Sequence, residues 1–171
     1  MAHGPSETKA HVAVLTVSDS RTLENDTSGN SIVEILLSEG HVVSCRSIVK
    51  DEASEILAIV TGSIQDAAVQ VIIVTGGTGA SKRDSTPDVV EPLFSSTLPG
   101  FGELFRSLSF NEIGSAAMLS RAEAGWVDYG EMRKPIFLLP GATNAVRLAL
   151  TSLIIPQLGH LLDVCNEGAV Q

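Results

Sequence analysis

Aromatic side chains make up only 4% of this 171-residue chain, with one tryptophan and one tyrosine. Its core must then be built from Val, Ile, Leu and Ala, which suits strands buried on both faces of a parallel sheet. Cysteine is scarce too: Cys45 and Cys165 are the only two, and no CxxC or Cys/His ligand spacing occurs. That leaves two reduced thiols in a cytoplasmic protein as the simple reading. Basic residues are outnumbered, 11 against 20 acidic ones, for a formal net charge of -9. Such a balance argues against nucleic-acid binding, which needs a basic face. It also means that any phosphate ligand must find local donors, a helix terminus or a metal. No apolar run is long enough to span a bilayer, so no membrane association is expected. The start, Met1 to Lys9, lacks the apolar stretch of a signal peptide and reads as a loose tail. His3, His11, His41 and His160 are scattered without metal-ligand spacing, and nothing resembles a nucleophilic triad.

What is present is an ordinary globular composition, 44% hydrophobic and 18% charged, long enough for one domain. We take residues 1–10 as a flexible tail, 11–165 as the domain and 166–171 as a second tail. Val12 to Val17 reads as a fully buried strand, followed by polar, turn-rich sequence from Ser18 to Asn30. A helix is expected from about Gly29 to Glu39, closed by Gly40. A strand over Val42–Val49 and a helix carrying Ile56, Val60 and Ile64 come next. Val71–Val74 is the clearest strand, and a short helix is expected to begin near Pro87. Phe101, Leu104, Phe105 and Leu108 repeat at helical spacing, as core packing or a subunit interface. A late strand, Pro135–Leu139, precedes a last helix that Pro156 should break or kink. Strands alternate with helices, which predicts an α/β domain with a mostly parallel sheet and right-handed crossovers.

In such folds ligands bind beyond the carboxyl ends of the strands. That rule selects Ser18-Asp19, Asp51, the loop Thr75-Gly76-Gly77-Thr78-Gly79, and Pro140-Gly141. Three glycines in four residues let backbone N–H groups approach a ligand closely. The loop is neither a Walker A motif nor GxGxxG, and by itself a tight turn explains it equally well.

Its continuation, Arg83-Asp84-Ser85-Thr86-Pro87-Asp88, is more specific. TGGTG followed by RDxTP resembles the signature of the MogA/MoaB family of molybdenum cofactor biosynthesis proteins. Pro99-Gly100-Phe101-Gly102-Glu103, Leu119-Ser120-Arg121-Ala122 and Leu139-Pro140-Gly141 extend the likeness. The stretch Asn25-Asp26-Thr27-Ser28-Gly29-Asn30 resembles MoaB-type members. The resemblance runs from about Val12 to Leu162. It implies a three-layer αβα sandwich, the Rossmann-like molybdopterin-binding fold.

Active members of that family join AMP from Mg²⁺–ATP to the molybdopterin phosphate and release pyrophosphate. Other MoaB-type members bind pterin, or assemble with other pathway proteins, without catalysis. Homo-oligomers, trimers or hexamers, are also implied. Asp51 and Asp84 match the family's two functional acidic positions, and we expect them to hold or orient Mg²⁺–ATP. The glycine loop, Thr75 to Gly79, with Ser120 and Arg121, is expected to take molybdopterin. Ser18, Asp19, Pro140 and Gly141 are the nucleotide candidates. Each has a plainer reading. Asp84 or Thr86 would cap the Pro87 helix, and Asp19 would bond its own turn. Lys82 and Arg83 would be solvated rather than offsetting phosphate charge. Arg121 would form a surface salt bridge, and Pro140-Gly141 would be an ordinary strand-to-helix turn.

Overall fold

The computed structural model describes residues 8–167. Six strands form one sheet in the order β2-β1-β3-β6-β5-β4. They are β1 (His11–Val17), β2 (Val42–Val49), β3 (Val71–Thr75), β4 (Ser96–Thr97), β5 (Glu123–Tyr129) and β6 (Met132–Leu139). β2, β1, β3 and β6 run parallel, whereas β5 is antiparallel to both β6 and β4. The helices are α1 (Thr27–Ser38), α2 (Ala53–Gln65), α3 (Thr86–Val90), α4 (Pro99–Ile113), α5 (Thr143–Ala149) and α6 (Ile155–Glu167).

The period of two along each central strand makes the three layers. Val12 and Val14 of β1, Val71 and Ile73 of β3, and Phe137 and Leu139 of β6 share one core. It contains Ile32, Ile35 and Leu36 of α1, Phe101 and Phe105 of α4, and Val146, Leu158 and Leu162 of the last helical segments. Ala13, Leu15, Ile72, Val74, Ile136 and Leu138 face the other way, onto Ile56, Val60 and Ile64 of α2 and Val90 of α3. Among the described residues, ring stacking gathers at one small group, in which Phe101 meets Phe137 edge-on at 5.2 Å between ring centroids. The stripe over residues 99–108 is core at two of its four positions. Phe101 and Phe105 are core, and Leu104 is exposed beside an apolar groove shared with Leu153 and Pro156.

Several expectations are corrected. Strands and helices do not alternate throughout, because β5 and β6 form a hairpin. Tyr129 pairs with Met132 across the two-residue loop Gly130-Glu131, and Gly130 has φ +60°, as such a loop requires of its first residue. The late strand therefore starts at Met132 rather than Pro135. Helix α1 begins at Thr27, two residues before Gly29, because Asp26 caps it by accepting the Gly29 amide at 2.9 Å. Pro156 does not break the last helix. Leu150–Ile154 widens into a π segment, and the helical path continues from Thr143 to Cys165. By length and composition alone that 23-residue path could reach across a bilayer, its most apolar 18-residue stretch having a mean hydropathy of 1.5. Here it is a core helix, with Val146, Leu150, Ile154 and Leu158 buried against the sheet.

Of the expected N-terminal tail, residues 1–7 lie outside the described residues. Thr8 to Ala10 are fastened: Thr8 Oγ1 donates to Asp163 at 2.7 Å, and Ala10 is wholly buried. Residues 168–171 of the expected C-terminal tail also lie outside, and α6 runs through Glu167.

Two buried polar groups tie the layers. Lys134 donates from β6 to the carbonyls of Asp66, at 2.6 Å, and Ser63, at 3.3 Å. It thus satisfies acceptors at the carboxyl end of α2, and burial pushes its pKa down. The buried His41 accepts the Ala10 amide at Nδ1, 3.1 Å away. Burial, with help from Lys9, lowers the His41 pKa below its ordinary value of 6.5. The neutral form is therefore the one the fold prefers. Its contribution is complete above the unfolded value and is lost as pH falls through the lower folded one. Urea unfolding between pH 7.5 and 5 should show stability falling with acid, and a shallower fall in His41→Asn. Parallel profiles for the two proteins would refute this role.

Candidate functional site

β1, β2, β3 and β6 all end at the same edge of the sheet, and the loops that follow them make the site. β3 runs into Gly76 and Gly77, whose φ values of +99° and +65° turn the chain sharply across the edge. A Cβ at Gly76 would lie 2.2 Å from the Val17 carbonyl oxygen, so only glycine passes there. The turn is pinned on both sides. Gly76 N donates to Leu139 O at 3.0 Å, and Thr86 Oγ1 donates to Gly76 O at 2.8 Å. Thr86 thus braces the loop rather than capping α3, and Asp84 does not cap it either: Ser85 holds the cap position, and its side chain makes no capping bond. The Asp84 carboxylate instead accepts the Ser81 amide at 3.0 Å and closes its own loop.

A cleft of about 410 Å³ opens above this turn. Gly76, Gly77, Thr78 and Gly79 form one wall, Pro140 and Gly141 the second, and Ala116, Leu119 and Ser120 the third. Asp84 also lines it. Most of the residues expected to take pterin or nucleotide are therefore brought to one place. Thr75 is not among them, being fully buried with its hydroxyl bonded to Pro140 O at 2.9 Å, which ties β3 to the β6 loop. Arg121 is also drawn out of the cleft. Its guanidinium takes the carbonyls of Gly79 and Asp84 and both carboxylate oxygens of Asp88. It clamps the glycine loop to the segment that carries Ser120. Ser120 Oγ accepts the Ala122 amide at 3.3 Å while lining the cleft.

Asp51 is buried and sits behind the loop. Its Oδ1 accepts the Ser85 hydroxyl at 2.5 Å and the Ser85 amide at 3.3 Å. Its Oδ2 faces Gly77, where a Cβ would come within 2.8 Å, and a Cβ at Gly79 would come within 2.7 Å of Asp84 Oδ2. The glycines thus let both carboxylates pack directly against the loop backbone, where no side chain would fit. Asp84, which lines the cleft, is a hard oxygen donor of the kind that suits Mg²⁺, an ion that takes one or two protein carboxylates and otherwise phosphate and water oxygens, whereas Asp51 lies behind the loop.

Asp19 lies at the outer rim, paired to Arg83 through two bonds of 3.0 and 2.8 Å. It also accepts the Asp51 amide at 3.1 Å. The Arg83 guanidinium, and then that amide, hold the Asp19 carboxyl below the usual carboxylate range. Arg83 also meets Glu52 at 3.1 Å, so it is paired with carboxylates rather than simply solvated. Ser18 lines an adjoining small cavity of about 70 Å³ with Thr75 and Ser28, and Gly76 and Gly141 are common to it and the cleft.

The sequence reading missed two features. Ala116 and Leu119 belong to a 3₁₀ turn, Gly114–Leu119, whose approach to the glycine loop is purely tertiary. Buried Asp26 gathers the Thr16 hydroxyl at 2.7 Å, the Gly29 amide and Arg46 at 3.0 Å, under the same edge. An Asp just before Thr-Ser-Gly at a helix start was the available signal.

The family profile described as "Probable molybdopterin binding domain" matches residues 13–160. The chain belongs to this molybdopterin-binding family of molybdenum cofactor biosynthesis proteins. Among MoaB relatives, Molybdenum cofactor biosynthesis protein B of Bacillus subtilis (strain 168) is 44% identical over 150 residues, 87% of this chain and 86% of its own. Its Escherichia coli (strain K12) counterpart is 42% identical over 155 residues, 91% of this chain and 89% of its own. The solved tungsten cofactor synthesizing protein MoaB from Pyrococcus furiosus superposes with a TM-score of 0.84 at 35% identity. It covers 94% of this chain and 99% of that one. The MoaB fold and the glycine-loop cleft thus coincide in one chain, and the matched span contains every cleft-lining residue.

Proposed function

We propose that this MoaB-type chain is a molybdopterin adenylyltransferase. A molybdopterin phosphate oxygen attacks the α-phosphorus of ATP. The new P–O bond gives adenylylated molybdopterin, and the bond to the bridging oxygen breaks, so pyrophosphate leaves with the electron pair. The observation that carries this reading is the packing of Asp51 and Asp84 directly against Gly77 and Gly79 of the glycine loop, with Asp84 also lining the cleft. The attacking phosphate is already largely ionised near neutral pH, since its second pKa is about 6. A general base is not required, and the work is positioning and charge stabilisation. Mg²⁺, held by Asp84 and Asp51, would offset charge on ATP and on the leaving pyrophosphate.

The chain's own residues supply the rest. Backbone N–H groups of the Gly77–Gly79 wall and the start of the last helix after Pro140-Gly141 offer donors to phosphate. Ala116 and Leu119 give an apolar face for the flat heterocycle, and Ser120 a polar edge. Arg121 holds these walls together.

Incubating the chain with ATP, Mg²⁺ and molybdopterin tests the proposal. Pyrophosphate release with formation of adenylylated molybdopterin is the expected result. Pterin binding without either product would establish a non-catalytic binder or assembly protein of the same pathway instead. The reading includes a homo-oligomer, trimer or hexamer, which sedimentation velocity would measure.

A further inference from the structure

We propose that Arg83 is a displaceable latch at the rim of the cleft: in the free protein its guanidinium neutralises Asp19 and Glu52, and an incoming polyphosphate draws it off them. This rests on the nucleotide reading above.

Three observations carry it. Arg83 makes a fork to Asp19, Nε to Oδ2 at 3.0 Å and Nη2 to Oδ1 at 2.8 Å, and Nη2 also meets Glu52 Oε1 at 3.1 Å. The three side chains are about half exposed, at 53%, 48% and 52% for Arg83, Asp19 and Glu52. Ion pairs so open to water contribute little stability and separate readily. Finally, the latch is joined to the catalytic candidates at both ends. Asp19 Oδ1 accepts the Asp51 amide at 3.1 Å, and Arg83 directly precedes Asp84, which lines the cleft.

A guanidinium fork fits phosphate oxygens in the same two-pronged geometry that it uses with a carboxylate. A triphosphate offers several such oxygen pairs and more charge than either carboxylate. The exchange would move one positive charge from the rim onto the ligand. It would leave Asp19 and Glu52 un-neutralised beside Asp51, an all-oxygen environment that favours a hard divalent cation. Cation and polyphosphate would then favour each other's binding. The cation alone would meet a rim already neutralised by Arg83.

Calorimetric titration of the full chain with inorganic tripolyphosphate, without metal and at low salt, isolates the latch. The proteins compared are wild type, Arg83→Gln, the double variant Asp19→Asn/Glu52→Gln, and the triple variant combining all three. Removing two carboxylates must favour any anion, so the informative quantity is how much of the gain needs Arg83. With Arg83 present, the double substitution should tighten binding about tenfold. In the R83Q background the same pair should gain at most about threefold. Equal gains in the two backgrounds, or no binding change at all, would overturn the latch. Titrating wild type with Mg²⁺–ATP separates the two ideas. Failure to bind it counts against the nucleotide reading, whereas binding without Arg83 coupling counts against the latch alone.

Discussion

Asp84→Asn should lower AMP transfer by at least about a hundredfold, the scale seen when one preorganised electrostatic group is removed from a phosphoryl-type site. Molybdopterin binding should stay within about threefold of wild type. The separation follows from what Asp84 touches. Its structural bond is one amide, from Ser81, which an asparagine oxygen can still accept. The cleft walls are held by other groups, namely the Gly76 turn, the Pro140-Gly141 loop and the Arg121 clamp. Only the negative charge beside Gly79 is lost. Asp51 is a poorer test because it is buried and accepts both Ser85 donors, so its substitution disturbs folding as well as charge. Pyrophosphate release and a pterin-fluorescence titration on the same preparation would decide. Near-normal turnover in Asp84→Asn would remove this carboxylate from the mechanism.

Gly76→Ala should destabilise the chain by about 3 kcal/mol or more, through left-handed backbone strain together with a steric collision. The residue has φ +99°, and its new Cβ would lie 2.2 Å from Val17 O, on a buried strand that has little freedom to retreat. The same shift would separate Gly76 from Leu139 and Thr86 and spoil the cleft. Gly62→Ala is the matched control. Gly62 lies near the end of α2, with nothing within 4 Å of the added carbon, so alanine should stabilise by about 0.5–1 kcal/mol. Urea midpoints of the two variants should therefore move in opposite directions. A Gly76→Ala protein as stable as wild type would contradict the geometry.

Much of this architecture was legible in the residues because the central strands are buried on both faces. Val12–Leu15 and Val71–Val74 are continuous apolar runs, and the loops after their strands fall where ligands bind in such sheets. The antiparallel side was not legible. β5 carries Gly125, Asp128 and Tyr129 among its apolar residues, so neither an unbroken run nor a clean alternation marks it. Its strand character comes from pairing with β6, a tertiary effect. Pro156 misled for a related reason: a proline implies a break unless the preceding turn widens, and the sequence does not show that widening. Within the site, the glycine loop, Asp84 and Pro140-Gly141, which the strand ends and the resemblance pick out, line one cleft. The positions of Thr75 and Arg121 were not foreseen, because a hydroxyl or guanidinium that ties two loops together has the same sequence appearance as one that meets a ligand. Leu119 stood inside a recognised segment, yet only the folded 3₁₀ turn turns it toward the loop.

The Gly130-Glu131 hairpin loop offers a practical handle. It sits at the start of β6, whereas the cleft begins where that strand ends at Leu139. Eight residues of extended chain put it about 25 Å from the cleft, at the opposite edge of the sheet. A Cβ at Gly130 would meet nothing within 4 Å, so the space around the turn is open. A fluorophore, affinity tag or surface tether inserted there would report on or immobilise the chain while leaving the route to the glycine loop clear.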